Sequence, residues 1–359
     1  MWRLAGPVTM AIVDEYGPGE MLRRLSDPWW FQAFGCAMGM DWHSSGITTV
    51  TCGALKEAYR HFGDEMGIHV AGGKGGTSRQ TPAEIEDVAG RLGIATGEKL
   101  VWSSRMSAKV DSAAVQDGYE LYHHSFFFSA DGQWCVVQQG MNVQAGYARR
   151  YHWLAESVSD FVCEPHHAVA QLASRRRGPD DGRMLLNMVA GEAEANRRAS
   201  VELVAWNPDR LLGEIERMTT GPTLFAPAGH RALPPWVNPR RIGVVVRQAH
   251  ERNPRDFVSL LGTEGVGAAA VRSLSLLAEL IYNAPAAHRD VTGLVDADGR
   301  RWADYSYVHG GKDGTPHPVD RQTYDRNIEL LTEAVRKARV GETHKRDALR
   351  RLAAAARRT

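Results

Sequence analysis

The chain is poor in cysteine, with Cys36, Cys52, Cys135 and Cys163 scattered over 359 residues and no CxxC pair among them. That excludes a dense disulfide framework and suits buried thiols in a reducing compartment. A surplus of charge is also lacking, because 43 basic residues face 42 acidic ones. No global field announces nucleic acid or an anionic surface, so any basic footprint has to be local. No apolar run approaches the roughly 20 residues of a membrane-spanning helix. Asp14 and Glu15 interrupt the N-terminal stretch before it reads as a secretory leader. These absences give the expectation of a cytoplasmic protein with no membrane partner. An apolar fraction of 43% and a charged fraction of 24% are those of a folded globular chain. Its length exceeds one ordinary core.

What is present concentrates between Trp102 and Trp153. Aromatic and β-branched residues flank Asp131-Gly132, which predicts a hairpin of two strands around Phe126-Phe127-Phe128 and Trp134 to Gln139. Just before it stand Lys109, Asp111, Asp117, His123 and His124, a density of polar groups that is costly unless they are paired, hydrated or used. Asp111-Ser112 is expected to cap a helix running to Tyr122, with Asp117 and His124 two turns apart on one face. After the hairpin, Tyr147 to Trp153 interleaves Arg149 and Arg150 with aromatics. That pattern suits either stacking on bases and pairing with phosphates, or a partly buried helix with snorkelling arginines.

Upstream, Val8 to Val13 reads as a short β-like start, and Ser26-Asp27-Pro28 as a cap with proline at the first helical position. The helix it opens, Trp29 to Phe34, is nearly all apolar and leaves room for a homo-oligomer. Asp41 and His43, in a loop rich in small residues, can converge on a metal or can belong to a turn capping the next helix. Gly72-Gly73-Lys74-Gly75-Gly76 followed by Arg79 offers backbone amides and charge to an anion, though it lacks the nucleoside-triphosphatase spacing. A flexible loop before the helix at Thr81 reads the same residues equally well.

The polar run Arg175 to Gly182 is the clearest linker signal. The expected class is α+β, in three parts. Residues 1–173 form an α/β domain with a hairpin-based sheet, 174–235 a linker and connector helix, and 236–359 an all-helical C-terminal domain. In that last part Phe257 to Leu274 resembles a helix-hairpin-helix DNA-binding motif, carried by Gly265-Val266-Gly267 and the apolar spacing around it. Glycines there permit a tight turn and aim the amides of the second helix at a backbone phosphate. Alanines 268 and 269 stand where that motif has a basic residue, and Arg272 supplies the charge. His309 to Lys312 belongs to a second dense polar loop. The basic tail beyond Val340 reads as an alanine-rich helix.

Six segments carry a resemblance over nearly the full length: Leu25 to Trp29, Asp41 to Gly46, Ala71 to Gly75, Ser104 to Asp111, Val137 to Met141 and His309 to Gly314. On them the chain is similar to the prokaryotic domain-of-unknown-function family 763, a resemblance that implies no reaction.

The residues themselves point to DNA processing in repair or recombination. The leading expectation is a divalent-metal-dependent nuclease, because phosphodiester hydrolysis needs metal ligands, a cation for developing charge and a grip on the backbone. Lys109, Asp111, Asp117 and His124 are the catalytic candidates. Asp41, His43, Asp111, His123 and His124 are the candidate ligands for Mg²⁺ or Mn²⁺. Lys74, Arg79, Arg105, Arg149, Arg150, Gly265, Val266, Gly267, Arg272 and Lys312 are the candidate contacts to duplex, branched or single-stranded DNA. Two other readings use the same chain: a non-catalytic DNA-binding scaffold, and a base-excision glycosylase-like enzyme using Asp320.

Overall fold

The computed structural model describes residues 1–40, 44, 46–143, 147–165, 170–171, 185–219, 238–288, 306–308 and 321–357. Asp41, His43, Lys312, Asp320 and the expected linker at 175–182 lie outside the described residues. Four helices come first: α1 (Trp2–Tyr16), α2 (Pro18–Ser26), α3 (Pro28–Ala37) and α4 (Ile47–Phe62). Strand β1 (His69–Lys74) leads to α5 (Thr81–Leu92) and α6 (Gly97–Lys109), whose last turn widens into a π-helical turn at Val110–Ala114. Then follow β2 (Val115–Gln116), β3 (Glu120–Phe128), β4 (Trp134–Asn142), β5 (Tyr147–Leu154), β6 (Ala170–Gln171) and β7 (Leu186–Asn187). The remainder is α7 (Glu194–Val204), α8 (Pro208–Thr219), α9 (Pro239–Arg252), α10 (Phe257–Gly262), α11 (Ala268–Tyr282), β8 (Ser306–Val308), α12 (Arg321–Lys337) and α13 (Glu342–Arg357).

The class is α+β, with an antiparallel sheet ordered β1-β3-β4-β5-β6 and β8 also paired to β5. Its centre is the expected hairpin, β3 against β4, turning through Ser129–Gln133 with Gly132 at φ +84. Phe126-Phe127-Phe128 has no polar alternation because both faces of the sheet are covered. Phe126 and Phe128 enter one core with Trp134, Val136 and Trp153, closed by side chains from α5 to α11. Phe127 enters the other with Cys135 and Val137, closed by α1 to α4 and by α12 and α13. The segment expected as one C-terminal unit is thus shared between both layers. α9 to α11 pack on one side of the sheet, α12 and α13 on the other, and β8 joins the sheet itself.

Several local expectations need correction. Val8 to Val13 is helix, because Leu4, Val8 and Ile12 repeat every four residues and all are buried. Asp111 to Tyr122 is not a helix. The helical course stops at Ala114, Val115 is already extended, Gly118 turns the chain at φ +87, and β3 starts at Glu120, so His123 and His124 lie on a strand. Tyr147 to Trp153 is strand as well. Asp27 does cap α3, accepting from the amides of Trp29 at 2.8 Å and Trp30 at 3.3 Å. All ten residues of α3 are buried within their own chain, so this helix offers no apolar face to a second copy. No helix among the described residues is long and apolar enough to cross a membrane.

Gly72 fixes the sheet edge to α5. At φ +87, a Cβ on it would lie 2.3 Å from the His124 carbonyl oxygen and 2.6 Å from Thr81 Oγ1. Gly72→Ala is therefore expected to destabilise by about 2 kcal/mol or more in urea unfolding, since both backbone strain and a backbone clash oppose it. Gly76→Ala, where nothing lies within 4 Å, is expected to stay within about 0.5 kcal/mol of the parent.

Candidate functional site

The interior of the sheet holds two polar rows, one on each face. On the α6 side the chain of hydrogen bonds starts at Ser104, whose hydroxyl lies 2.9 Å from His124 Nε2. His124 Nδ1 lies 2.8 Å from Gln138 Oε1, which only accepts, so Nδ1 carries the proton and Nε2 accepts from Ser104. The Gln138 amide nitrogen donates to the Ser107 carbonyl at 3.0 Å and to Asp111 Oδ2 at 2.6 Å. Trp153 Nε1 donates to the same Asp111 oxygen at 2.9 Å. Asp111 Oδ1 is buried with no hydrogen-bond partner. Burial pushes the Asp111 carboxyl up to about 8, and the nearby Asp117 charge adds to it. Burial holds His124 down to about 4.

The two expected catalytic residues, Asp111 and His124, are thus brought together, but through Gln138. Both His124 nitrogens are engaged, and Asp111 is held near its neutral form, which makes each a poor ligand for a hard cation. Asp117 is not in this chain. It forms an ion pair with Arg149, both side chains 2% exposed, and the guanidinium lies 4.3 Å from the Tyr119 ring centroid. Ser104 and Gln138 carry the row without having been singled out in the sequence. The available signal was Gln138-Gln139, two amides inside an otherwise apolar strand.

Consecutive strand residues face opposite ways, so His123 belongs to the other row. There His123, Gln139 and Arg150 are cross-strand neighbours on β3, β4 and β5. His123 Nε2 lies 3.1 Å from Ser125 Oγ, while His123 Nδ1 and Gln139 Oε1 are buried with no hydrogen-bond partner. Burial, then the neighbouring His124 and Lys74, push His123 down to about 3. Arg150 is fully buried, donating to Gln32 Oε1 at 3.1 Å and the Pro28 carbonyl at 3.2 Å, over the Phe31 ring at 4.7 Å. Arg149 and Arg150 accordingly serve the interior and present nothing to a groove. Among the described residues no group of three or more His, Cys, Asp or Glu is placed to hold a metal ion.

Lys74 and Arg79 are exposed at the sheet edge and in the turn after it. The Gly72 amide ahead of them is occupied: it donates to Glu84 at 2.6 Å, and Lys56 bridges Glu84 and the Gly72 carbonyl at 2.7 and 2.6 Å.

The remaining candidates meet at the turn between α10 and α11. Asp256 and Ser259 form a capping box that starts α10. Gly265 takes φ +81, Val266 is 2% exposed in the core, and Gly267 begins α11 with no side chain capping its first amides. A Cβ on Gly267 would meet only the Gly265 carbonyl oxygen, at 3.9 Å. Lys109 reaches this turn rather than the Asp111 row, donating to the carbonyls of Leu261 at 2.7 Å and Thr263 at 2.5 Å. Burial, with Arg105 adding to it, lowers the Lys109 ammonium to about 8. Arg272 Nε donates to Gln116 Oε1 at 2.7 Å, and Gln116 Nε2 donates to the Ala268 carbonyl at 2.9 Å. Arg105 is exposed one turn before Lys109 on α6.

Over residues 1–319 the chain matches a family described as protein of unknown function (DUF763). No curated protein and no solved structure matches it.

The polar rows set a pH dependence. Asp111, raised from 3.8 to about 8, keeps a proton that the unfolded chain releases, so its contribution falls as pH rises through that window. His123 and His124, lowered from 6.5 to about 3 and about 4, oppose this: the unfolded chain binds their protons below 6.5 and pulls the equilibrium towards unfolding. With two histidines against one carboxyl, stability is expected to peak near pH 6.5 and decline by about 2 kcal/mol towards pH 8. In Asp111→Asn, whose amide oxygen can accept from both Gln138 and Trp153, chemical unfolding should show a steeper acid limb, since no carboxyl offsets the histidines, and the decline above pH 6.5 gone. An unchanged upper limb would remove Asp111 as its source.

Proposed function

This chain belongs to the DUF763 family, and we propose from its own residues that it is a DNA-processing protein that grips the phosphate backbone at the α10–α11 turn. The observation that carries the reading is the turn itself. Gly265 reverses the chain at positive φ, Val266 pins the reversal in the core, and Gly267 opens α11 with its first amides uncovered by any capping side chain. Unsatisfied N–H groups at a helix N-terminus, with the helix dipole behind them, favour an approaching phosphate. The helix-hairpin-helix reading of Phe257 to Leu274 draws its support from this geometry. Lys109, Gln116 and Arg272 fix the turn from α6, β2 and α11, so little ordering is left for binding to impose. Arg105, exposed beside the turn, supplies a neighbouring cation. Contacts of this kind hold duplex, branched or single-stranded DNA without reading its sequence.

One observation favours a hydrolytic reading as well. His123 Nδ1 and Gln139 Oε1 are buried without hydrogen-bond partners, on the face covered by α4, whose Cys52 reaches Ser125. A nitrogen and a neutral oxygen suit Mn²⁺ better than Mg²⁺, which prefers oxygen alone. A metal held there by His123 and Gln139 would supply an activated water for phosphodiester hydrolysis, and the candidate ligands Asp41 and His43 lie outside the described residues. Asp111, Asp117 and His124 are outside that set, since their atoms hold the opposite row and the Arg149 ion pair. The non-catalytic scaffold differs from this reading only in lacking the metal, and the glycosylase reading rests on Asp320, outside the described residues.

Full-length protein is expected to bind duplex DNA with an affinity that falls steeply as salt rises, because phosphate contacts release counterions. Gly267→Val, whose Cβ would meet only the Gly265 carbonyl oxygen at 3.9 Å, should weaken that binding roughly tenfold, with a thermal melt establishing that the variant is folded. Binding indifferent to salt or to Gly267→Val contradicts the grip. A separate assay decides the chemistry: Mn²⁺-dependent degradation of DNA that His123→Ala abolishes supports the nuclease, and bound but intact DNA supports the scaffold.

A further inference from the structure

The exposed face of α6 carries a pattern that extends beyond the phosphate grip. Lys99, Trp102, Arg105 and Lys109 follow one another at intervals of three or four residues, which places them along one side of the helix over about 15 Å. The opposite side, with Leu100, Ser104 and Ser107, is buried, and Ser104 and Ser107 meet side chains of the sheet. Lys99 and Arg105 are exposed, and Lys109 is anchored in the α10–α11 turn. Trp102 is 38% exposed, which is unusual for so large an apolar side chain.

The tryptophan is nevertheless fixed in place. Its six-membered ring rests on Gly262, the last residue of α10, so closely that a Cβ there would lie 2.2 Å from Trp102 Cη2 and 2.6 Å from Cζ3. A glycine at the end of α10 lets the indole sit against the backbone immediately before the turn. The result is a seated aromatic ring with surface left open, flanked one turn on either side by the cations Lys99 and Arg105. Glu264 is exposed on the turn, where Lys109 opposes its charge.

We infer that Trp102 on α6, seated on Gly262 and flanked by Lys99 and Arg105, is a stacking platform for an unpaired base of single-stranded DNA whose backbone continues to the α10–α11 turn. The inference rests on the DNA-binding reading and names its substrate: DNA with exposed, unstacked bases rather than a closed duplex. Every base offers a π face, so such a platform holds single strands without sequence preference, while cations alongside it follow the phosphates. A base inside a duplex is already stacked and cannot use the ring. Trp102 therefore distinguishes unpaired from paired DNA, whereas the turn grips both.

The test measures binding of full-length protein to an unstructured oligothymidine strand, to the RNA strand of the same sequence and to a blunt duplex, by fluorescence anisotropy. The variants are Trp102→Leu, which retains an apolar side chain on Gly262 but has no π face, Trp102→Phe, and the surface change Arg105→Glu. Thermal melts of each variant establish folding. Trp102→Leu is expected to lose roughly tenfold or more in affinity for the DNA strand and almost nothing for the duplex. Trp102→Phe should retain most of the affinity, and Arg105→Glu should weaken the single strand in a salt-dependent way. If Trp102→Leu binds the DNA strand as the parent does, or loses strand and duplex equally, the platform is overturned. Tighter binding of the RNA strand than of DNA overturns the substrate named. Should Trp102→Leu be without effect while duplex binding still responds to Gly267→Val, this inference fails and the phosphate grip stands. Absence of nucleic-acid binding in the parent protein removes both.

Discussion

Both faces of the central sheet are covered by helices, so each inward polar side chain on β3, β4 and β5 has to find its partner inside the protein. That constraint shapes the rest. Burial holds Asp111 near its neutral form, and the groups that reach it, Gln138 and Trp153, are neutral donors rather than cations. Asp117 and Arg149 solve the same problem with opposite charges. Desolvation offsets much of the attraction in a buried pair, so its main consequence is directional: removing either member leaves an uncompensated charge. Ser104, His124, Gln138 and Asp111 behave likewise as a set, each bond fixing the tautomer or amide orientation of the next.

Helix α6 transmits this order to the surface. Its inner side supplies Ser104 and Ser107 to the polar row, and its π-helical end turns Asp111 inward. The same helix holds the α10–α11 turn through Lys109 and seats Trp102 on Gly262. Register in the sheet and position of the turn are therefore coupled through one rigid element. A turn held in this manner needs no rearrangement to meet the phosphate we propose for it. Polar residues that looked like separate catalytic and binding candidates divide by this geometry into an interior set and a surface set.

Local chemistry was legible in the sequence wherever one residue type dictates one backbone geometry. Asp27-Pro28 announced the start of α3, Asp131-Gly132 the hairpin turn, and Gly265-Val266-Gly267 a reversal between helices. What local reading missed depends on pairing across the chain. His124 faces Gln138 only because β3 and β4 align in one register, and nothing near His124 in the sequence states it. The stretch from Asp111 to Tyr122 looked helical because its polar residues recur at helical spacing, yet the chain turns extended at Val115, where it pairs with β7, and Gly118 then leads into β3. Interleaved with aromatics, Arg149 and Arg150 read either as contacts to nucleic acid or as snorkelling cations of a partly buried helix. Their burial follows from lying on β5, an inner strand, where Asp117 from the connection before β3 meets Arg149 and Gln32 from α3 meets Arg150. Lys109 looked catalytic by proximity to Asp111, and the helical turn between them sends it to a different partner.

The central claim is that DNA meets this protein at the α10–α11 turn and the adjoining face of α6. Hydrogen–deuterium exchange of the full-length protein, with and without a saturating single-stranded oligonucleotide, tests it without altering a residue. Protection should appear in peptides covering Gly262 to Ala270 and Lys99 to Lys109, with β3 and β4 amides slow and unchanged in both states. Protection confined to other segments, with these two unaffected, would contradict the account.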